Sequence, residues 1–427
     1  MDRNIAPHYG DIQMPVIPTV TSSTLANGVA MHVLRGGSLP VVKVDVVVRA
    51  SALRSDKPGT AGLTMELLGQ GTVNHTAKEL ANTIDFYGAY LSSGKVSSDS
   101  TVITLQCLRR DLANLLPIFE EIVKQPTFPQ DEIDICVESK VQDLDVNKLK
   151  TSYNASVQML KALYADGDRN ARILQREDLL AINTEQLLNF HQQTYRPAGA
   201  LVFVTGLPTD DDLRLVADSF GTNWDGGEAW KEPAPAFRNE VCQKFVNFEG
   251  KQTSFRMVRR TIDRRHPDYW PLQVAVAILG GGSLSSRLMQ TLREKMGLTY
   301  GIYSSMPSSK FDSFMVISSE LKKGSERKAI EVIGQEMQRL STELVPTDEL
   351  DSIRGVLLGD LLQQFDSVIT SASTLLSCIT NNVDPSEIVD SYNVIKSITP
   401  EEVRDVAARW FQPDKFHVIC VGPGVSE

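Results

Sequence analysis

Histidine is scarce in this chain and never paired. Six occur in 427 residues, His8, His32, His75, His191, His266 and His417, and none has another three, four or five positions further on. Two imidazoles of one helix share a zinc ion only at such spacings, so a helical histidine pair is excluded. Cysteine is scarcer still. Cys107, Cys136, Cys242, Cys378 and Cys420 are odd in number and far apart, mostly in apolar runs such as HVICVG. They read as buried thiols rather than a disulfide framework. A basic excess is missing too, because 43 Lys and Arg stand against 53 Asp and Glu for a formal net charge of -10. Nucleic acid is therefore not an expected partner. No apolar run nears the roughly 18 to 20 residues that span a bilayer, and the opening MDRNIAPHYGDIQMPVIPTV has no run of signal-peptide length. The expectation is a cytoplasmic protein without membrane contact.

What the chain does have is a repeat. INTEQLLNFHQQTYRPAGALVFVTG from Ile182 aligns with ITPEEVRDVAARWFQPDKFHVICVG from Ile398, an offset of 216 that matches Glu185 with Glu401, Pro197 with Pro413 and Gly206 with Gly422. FPQDEID from Phe128 aligns with VPTDELD from Val345 at an offset of 217. Two separate signals that agree to within one insertion indicate two copies of one domain.

Each copy mixes strand and helix patterns. VVKVDVVVRA from Val41 alternates, with Val42, Val44, Val46 and Val48 on one face and Lys43, Asp45 and Arg49 mainly on the other, as a half-buried strand does. DEIDICVESKVQDLDVNKL puts Ile133, Val137, Val141 and Leu144 on one helical stripe. The expected class is α+β: two homologous domains, each a largely antiparallel sheet with helices packed on one face. The first takes residues 1–222 and the second 241–427. Between them NWDGGEAWKEPAPAFRNE, 223–240, has linker composition, with Trp224, Trp230 and Phe237 as the groups able to pin it down.

GGGSLSSRLMQTLREKMGLTYG, from Gly280 to Gly301, is the stretch that reads as a site. It carries neither the GK[ST] of a phosphate loop nor a GxGxxG fingerprint. Ser283 is placed as an N-cap, Leu284, Leu288 and Leu292 stack to face a core, and Gly297 is placed as a left-handed cap. Arg293 then falls in the last turn and Tyr300 on the following strand, where the two can converge. A cation in a last turn is favoured by the helix dipole, so local composition also accommodates a purely structural pair. Gly280, Gly281 and Gly282 either let a peptide backbone approach closely or form a helix lead-in. Arg287 points elsewhere and is read as structural, and His191 as a residue on the polar side of its helix.

The two-copy architecture, together with GGGSLSSRLMQTLREKMGLTYGIYS, resembles the pitrilysin/insulinase family of zinc peptidases, which includes the mitochondrial processing peptidases. The resemblance covers essentially the whole chain, and its SRLxxxLREKxGLxY string is quite specific. It implies an HxxEH zinc helix in the first domain and an arginine and tyrosine in the second, spaced as Arg293 and Tyr300 are. The corresponding first-domain helix is GTAGLTMELLGQGT, Gly59 to Thr72, where Gly62, Met65 and Glu66 stand at the motif positions. A shift of one residue aligns Glu66 with the catalytic Glu but leaves Leu63 and Leu67 as ligands. The third ligand position falls on Gln142 or Asp143.

The resemblance thus implies a sister subunit. It would bind no cofactor itself, with zinc expected in an HxxEH-bearing homologous partner and an unstructured peptide as substrate inside a chamber of four similar domains. Tyr300 would hydrogen-bond the scissile carbonyl as it becomes tetrahedral, and Arg293 would hold a backbone carbonyl or orient the tyrosine. The alternatives are an inert scaffold, as in the core subunits of a respiratory complex, and a peptide-binding homodimer. An autonomous zinc peptidase fits least.

Overall fold

Two sheets of matching strand order organise the chain. The computed structural model describes residues 12–97, 99–228, 230–281, 284–308, 311 and 313–425. Strands β1 (Thr21–Thr24), β2 (Ala30–Arg35), β3 (Val41–Val48), β4 (Tyr90–Ser97), β5 (Ser100–Leu108) and β6 (Leu201–Gly206) lie in the order β1-β2-β6-β3-β5-β4. Strands β7 (Gln243–Asn247), β8 (Gln252–Arg260), β9 (Thr299–Ser305), β10 (Phe314–Lys322) and β11 (His417–Gly422) lie in the order β7-β11-β8-β10-β9. Without β1, the second order repeats the first strand for strand. The sequence repeat is thereby a structural one. Only β2 with β6 and β7 with β11 pair in parallel, so each sheet is largely antiparallel and the α+β class holds.

Each sheet buries one face under helices of its own half. Val42, Val44 and Val46 are fully buried against a core that takes in Ile133, Val137, Val141 and Leu144 of helix Gln130–Lys148, the stripe expected from their spacing. In the second half Phe255, Met257, Ile317 and Leu321 pack into a core with the apolar helix Tyr269–Gly280 and helix Glu326–Thr342.

The opposite face of each sheet is covered by a helix from the other half. Helix Val368–Asn381 sets Ala372, Leu375 and Leu376 on Leu34, Val47, Leu201 and Phe203 of the first sheet. Helix Thr151–Leu163 sets Ala155, Ala162 and Leu163 on Val258, Ile419 and Val421 of the second. The two helices begin 217 residues apart and are counterparts in the repeat. This exchange corrects the half-buried reading of β3. Val47 is 1% exposed and Asp45 is 1% exposed, its carboxylate paired with Lys43 at 2.8 Å and accepting from Thr104. Alternation in one strand cannot reveal a cover that arrives from more than 300 residues away.

Three further expectations meet the structure. The linker aromatics are pinned: Trp224 is buried and donates its indole N–H to the Tyr195 carbonyl at 3.1 Å, Arg54 lies over Trp230, and Phe237 stacks on Tyr164. His191 is not on a polar face. It is 5% exposed, bonded through Nε2 to the Val123 carbonyl at 2.8 Å and stacked on Tyr195, and burial pushes its pKa down to about 4. All five cysteines are free thiols, of which Cys107, Cys378 and Cys420 are buried while Cys136 and Cys242 are partly exposed.

Candidate functional site

The candidate stretch begins where helix Tyr269–Gly280 ends. Gly280 is buried, and a Cβ there would sit 2.9 Å from Ser304 Oγ on β9, so its bare backbone serves the close approach of a strand. Gly281 caps this helix, and a Cβ there would meet the Ala277 backbone at 2.5 Å. Intramolecular packing accounts for both glycines without a substrate. Gly282 and Ser283 lie outside the described residues.

The next helix differs from the expected one at its start. Residues Leu284 and Ser285 form a turn and helical geometry begins at Arg287, so Leu284 is 61% exposed and faces no core. Leu288 and Leu292 are fully buried, as expected. From Met289 to Lys295 the helix has π geometry, closed by the Met296 N–H on the Thr291 carbonyl at 3.1 Å. Such turns are rare and concentrate at functional sites. Gly297 ends the helix in the left-handed region at φ 62, with the Leu298 N–H on the Leu292 carbonyl at 2.9 Å. Arg287 is structural: it is 9% exposed and holds Glu349 through two bonds of 2.8 and 2.9 Å.

Arg293 lies in the last turn with 38% of its side chain exposed and its Nε 3.3 Å from Glu294. Tyr300 follows on β9, 88% exposed. Its placement comes from a β-bulge. Against β10, Thr299 pairs with Leu321 and Ile302 with Ser319, so Tyr300 and Gly301 together face the single residue Glu320. A bulge re-aims the side chains that follow it. Tyr300 and Tyr303, three apart, would point to opposite faces of a regular strand, yet both are exposed and both line one cleft of about 450 Å³. Gly301 lets Tyr303 fold back, because a Cβ at 301 would lie 2.7 Å from the Tyr303 hydroxyl. Arg256 of β8 and Glu320 of β10 belong to the same cleft, and Arg293 stands outside its lining. Those two were missed from sequence. QTSFRMVRR shows that Arg256 shares a face with Ser254 and Val258, but only the β8–β10–β9 register shows that this face leads to Tyr300.

At the other half of the expected site, helix Thr60–Glu66 buries Thr60, Ala61, Leu63 and Thr64. The Glu66 carboxylate is 2.8 Å from the Lys140 ammonium of helix Gln130–Lys148, a bond that raises the Lys140 pKa. Cys136 lies one turn earlier, its thiol pushed up by burial and by the Glu66 charge. Gln142 and Asp143 are exposed on that helix. A cationic ammonium on Glu66, the one carboxylate at the HxxEH positions, repels a metal cation. These residues do not fit a zinc ion. Among the described residues, no group of three or more His, Cys, Asp and Glu side chains is placed to hold a metal.

Comparison with known proteins finds two families that match adjacent segments of the chain. A family described as insulinase (peptidase family M16) matches residues 40–175, and one described as peptidase M16 inactive domain matches residues 181–357. An uncharacterised zinc protease of Mycobacterium leprae is 22% identical over 374 residues, 86% of this chain and 83% of that protein. A protein of Helicobacter pylori named a non-peptidase homologue is 23% identical over 75% of each chain. Among solved structures, a peptidase M16 inactive domain from Pseudomonas fluorescens superposes with a TM-score of 0.85 at 23% identity, over 96% of this chain and 99% of its own. A protease from Helicobacter pylori superposes at 0.84 with 17% identity, over 96% and 100%.

Proposed function

This chain belongs to the insulinase (M16) family of peptidases and includes that family's inactive domain, and on that premise we propose that it is the non-catalytic subunit of a heterodimeric zinc peptidase. A homologous HxxEH-bearing subunit supplies the metal chemistry. This chain supplies Arg293 and Tyr300.

One observation carries the reading. The bulge in β9 lifts the Tyr300 phenol to 88% exposure at a cleft, where a reacting group held by another chain can reach it. An exposed aromatic of that size has no packing role in its own half. When a peptide carbonyl becomes tetrahedral, its oxygen gains charge, and a phenolic O–H aimed at that oxygen stabilises the change more than it stabilises the substrate. Arg293, partly exposed at the end of its helix, holds a neighbouring backbone carbonyl of the substrate through its guanidinium.

The test is reconstitution. This chain and an HxxEH-bearing homologue from the same source are purified separately and mixed, and cleavage of an unstructured peptide is followed with zinc content. The reading expects cleavage by the mixture and none by this chain alone. A mixture no faster than the homologue alone would mark this chain as a scaffold. Stoichiometric zinc and cleavage by the lone chain would contradict the reading outright.

A further inference from the structure

The cleft beneath Tyr300 has a floor. Arg256 on β8, Ser318 on β10 and Tyr303 on β9 are paired in register across three strands and form one cross-strand row. Gln252 and Glu320 lie beside that row in the same cleft. The row continues to Ile419 of β11, which helix Thr151–Leu163 covers. Among the described residues, the cleft is therefore the uncovered end of the face on which that exchanged helix sits.

Arg256 is fixed within it. Its side chain is 15% exposed, and Nη1 donates to the Phe255 carbonyl at 2.8 Å and lies 3.5 Å from both the Ser319 carbonyl and Glu320 Oε1. These contacts all run through Nη1, so the Nε and Nη2 N–H groups take part in none of them. Glu320 is held in turn by the Ser254 hydroxyl, which also lies 2.9 Å from Thr151 Oγ1 at the start of the exchanged helix. A guanidinium held on one edge offers its other donors in a fixed direction, at little entropic cost on binding. The neighbouring carboxylate offsets its charge, which favours a neutral acceptor such as a peptide carbonyl over an anion.

We propose that Arg256 is a substrate-binding residue that holds backbone carbonyls of an extended peptide in the cleft, so that the bond to be cut lies under Tyr300. This rests on the function proposed above. It adds a third cation-and-phenol element to that site and separates the roles: Arg256 acts on binding, Tyr300 on the chemical step.

The experiment uses the reconstituted pair and a quenched-fluorescent peptide of about ten residues, with Arg256→Gln, Arg256→Lys and Tyr300→Phe compared. Arg256→Gln is expected to raise KM by about tenfold or more with kcat within about twofold of wild type, the loss expected for a hydrogen bond from a charged group. Arg256→Lys keeps the charge without the fork and is expected to fall between. Tyr300→Phe is expected to lower kcat instead. Should Arg256→Gln fail to fold, Glu320→Gln gives a second readout: with the balancing charge gone, a peptide carrying aspartate next to the cut bond gains several-fold over its asparagine counterpart. An Arg256→Gln variant with wild-type KM, or a Glu320→Gln variant without the aspartate gain, overturns this inference while leaving the function in place if Tyr300→Phe is slow. A wild-type pair that cleaves nothing, or a Tyr300→Phe pair that is unimpaired, removes the underlying function and the inference with it.

Discussion

Single residues in this chain are set by neighbours that sequence spacing does not show. His191 is the sharpest case: the helical pattern places it with polar residues, but the Val123 carbonyl and Tyr195 ring enclose it. Its folded-state pKa of about 4 is depressed from an ordinary 6.5. A depressed histidine contributes stability above its unfolded pKa, and loses it as pH falls toward the folded value. Unfolding free energy is therefore expected to drop by about 3 kcal/mol between pH 7 and pH 4 on this account alone. Urea titrations at both pH values check this, with His191→Gln expected to flatten the slope. Equal slopes in both proteins would show that the histidine is not the titrating group. In the candidate stretch, the positions of Arg293 in the last turn, of Tyr300 on the next strand and of the Gly297 cap were legible in the sequence. Leu284 was not, because the turn before Arg287 breaks the helical register on which its stacking relied. Arg256 was invisible, because only strand register brings it to Tyr300.

At the scale of elements, the exchanged helices join the two halves. Helix Val368–Asn381 is amphipathic twice over, with Leu375 and Leu376 on the first sheet and Cys378 in the core of the second half. Leu375 is 2% exposed, and Leu375→Ala is expected to cost about 2 to 5 kcal/mol. The location of the damage is the more telling prediction. Amide exchange should accelerate in β2, β3 and β6, more than 150 residues away in sequence, since those strands lose their cover. Acceleration confined to the second half would contradict the exchange. Individual helices were legible from periodicity where a full stripe is buried, as Ile133, Val137, Val141 and Leu144 illustrate. Which sheet a helix covers was not, because an apolar stripe states a need for a partner without naming it.

The whole molecule follows from that exchange. The repeat, offset by 216, gives two sheets with one strand order, and the exchanged helices make the halves mutually dependent. A fragment of residues 1–240 would leave Leu34, Val47, Leu201 and Phe203 uncovered, an apolar patch that a separate domain rarely tolerates. Expressed alone, it is expected to bind hydrophobic dye and aggregate, and to recover when produced together with residues 241–427. A monomeric fragment with a sharp unfolding transition would show that the halves are independent. The same exchange reaches the Tyr300 cleft, where the Ser254 hydroxyl ties the floor to Thr151 of the first half.

The central claim is that Tyr300 works on a bond held by another chain. Its most direct test is kcat for peptide cleavage by the reconstituted pair, with Tyr300→Phe against wild type at equal zinc loading. The account expects a fall of about 100- to 1,000-fold, the typical effect of removing one oxyanion donor, with KM little changed. An unchanged kcat would contradict it.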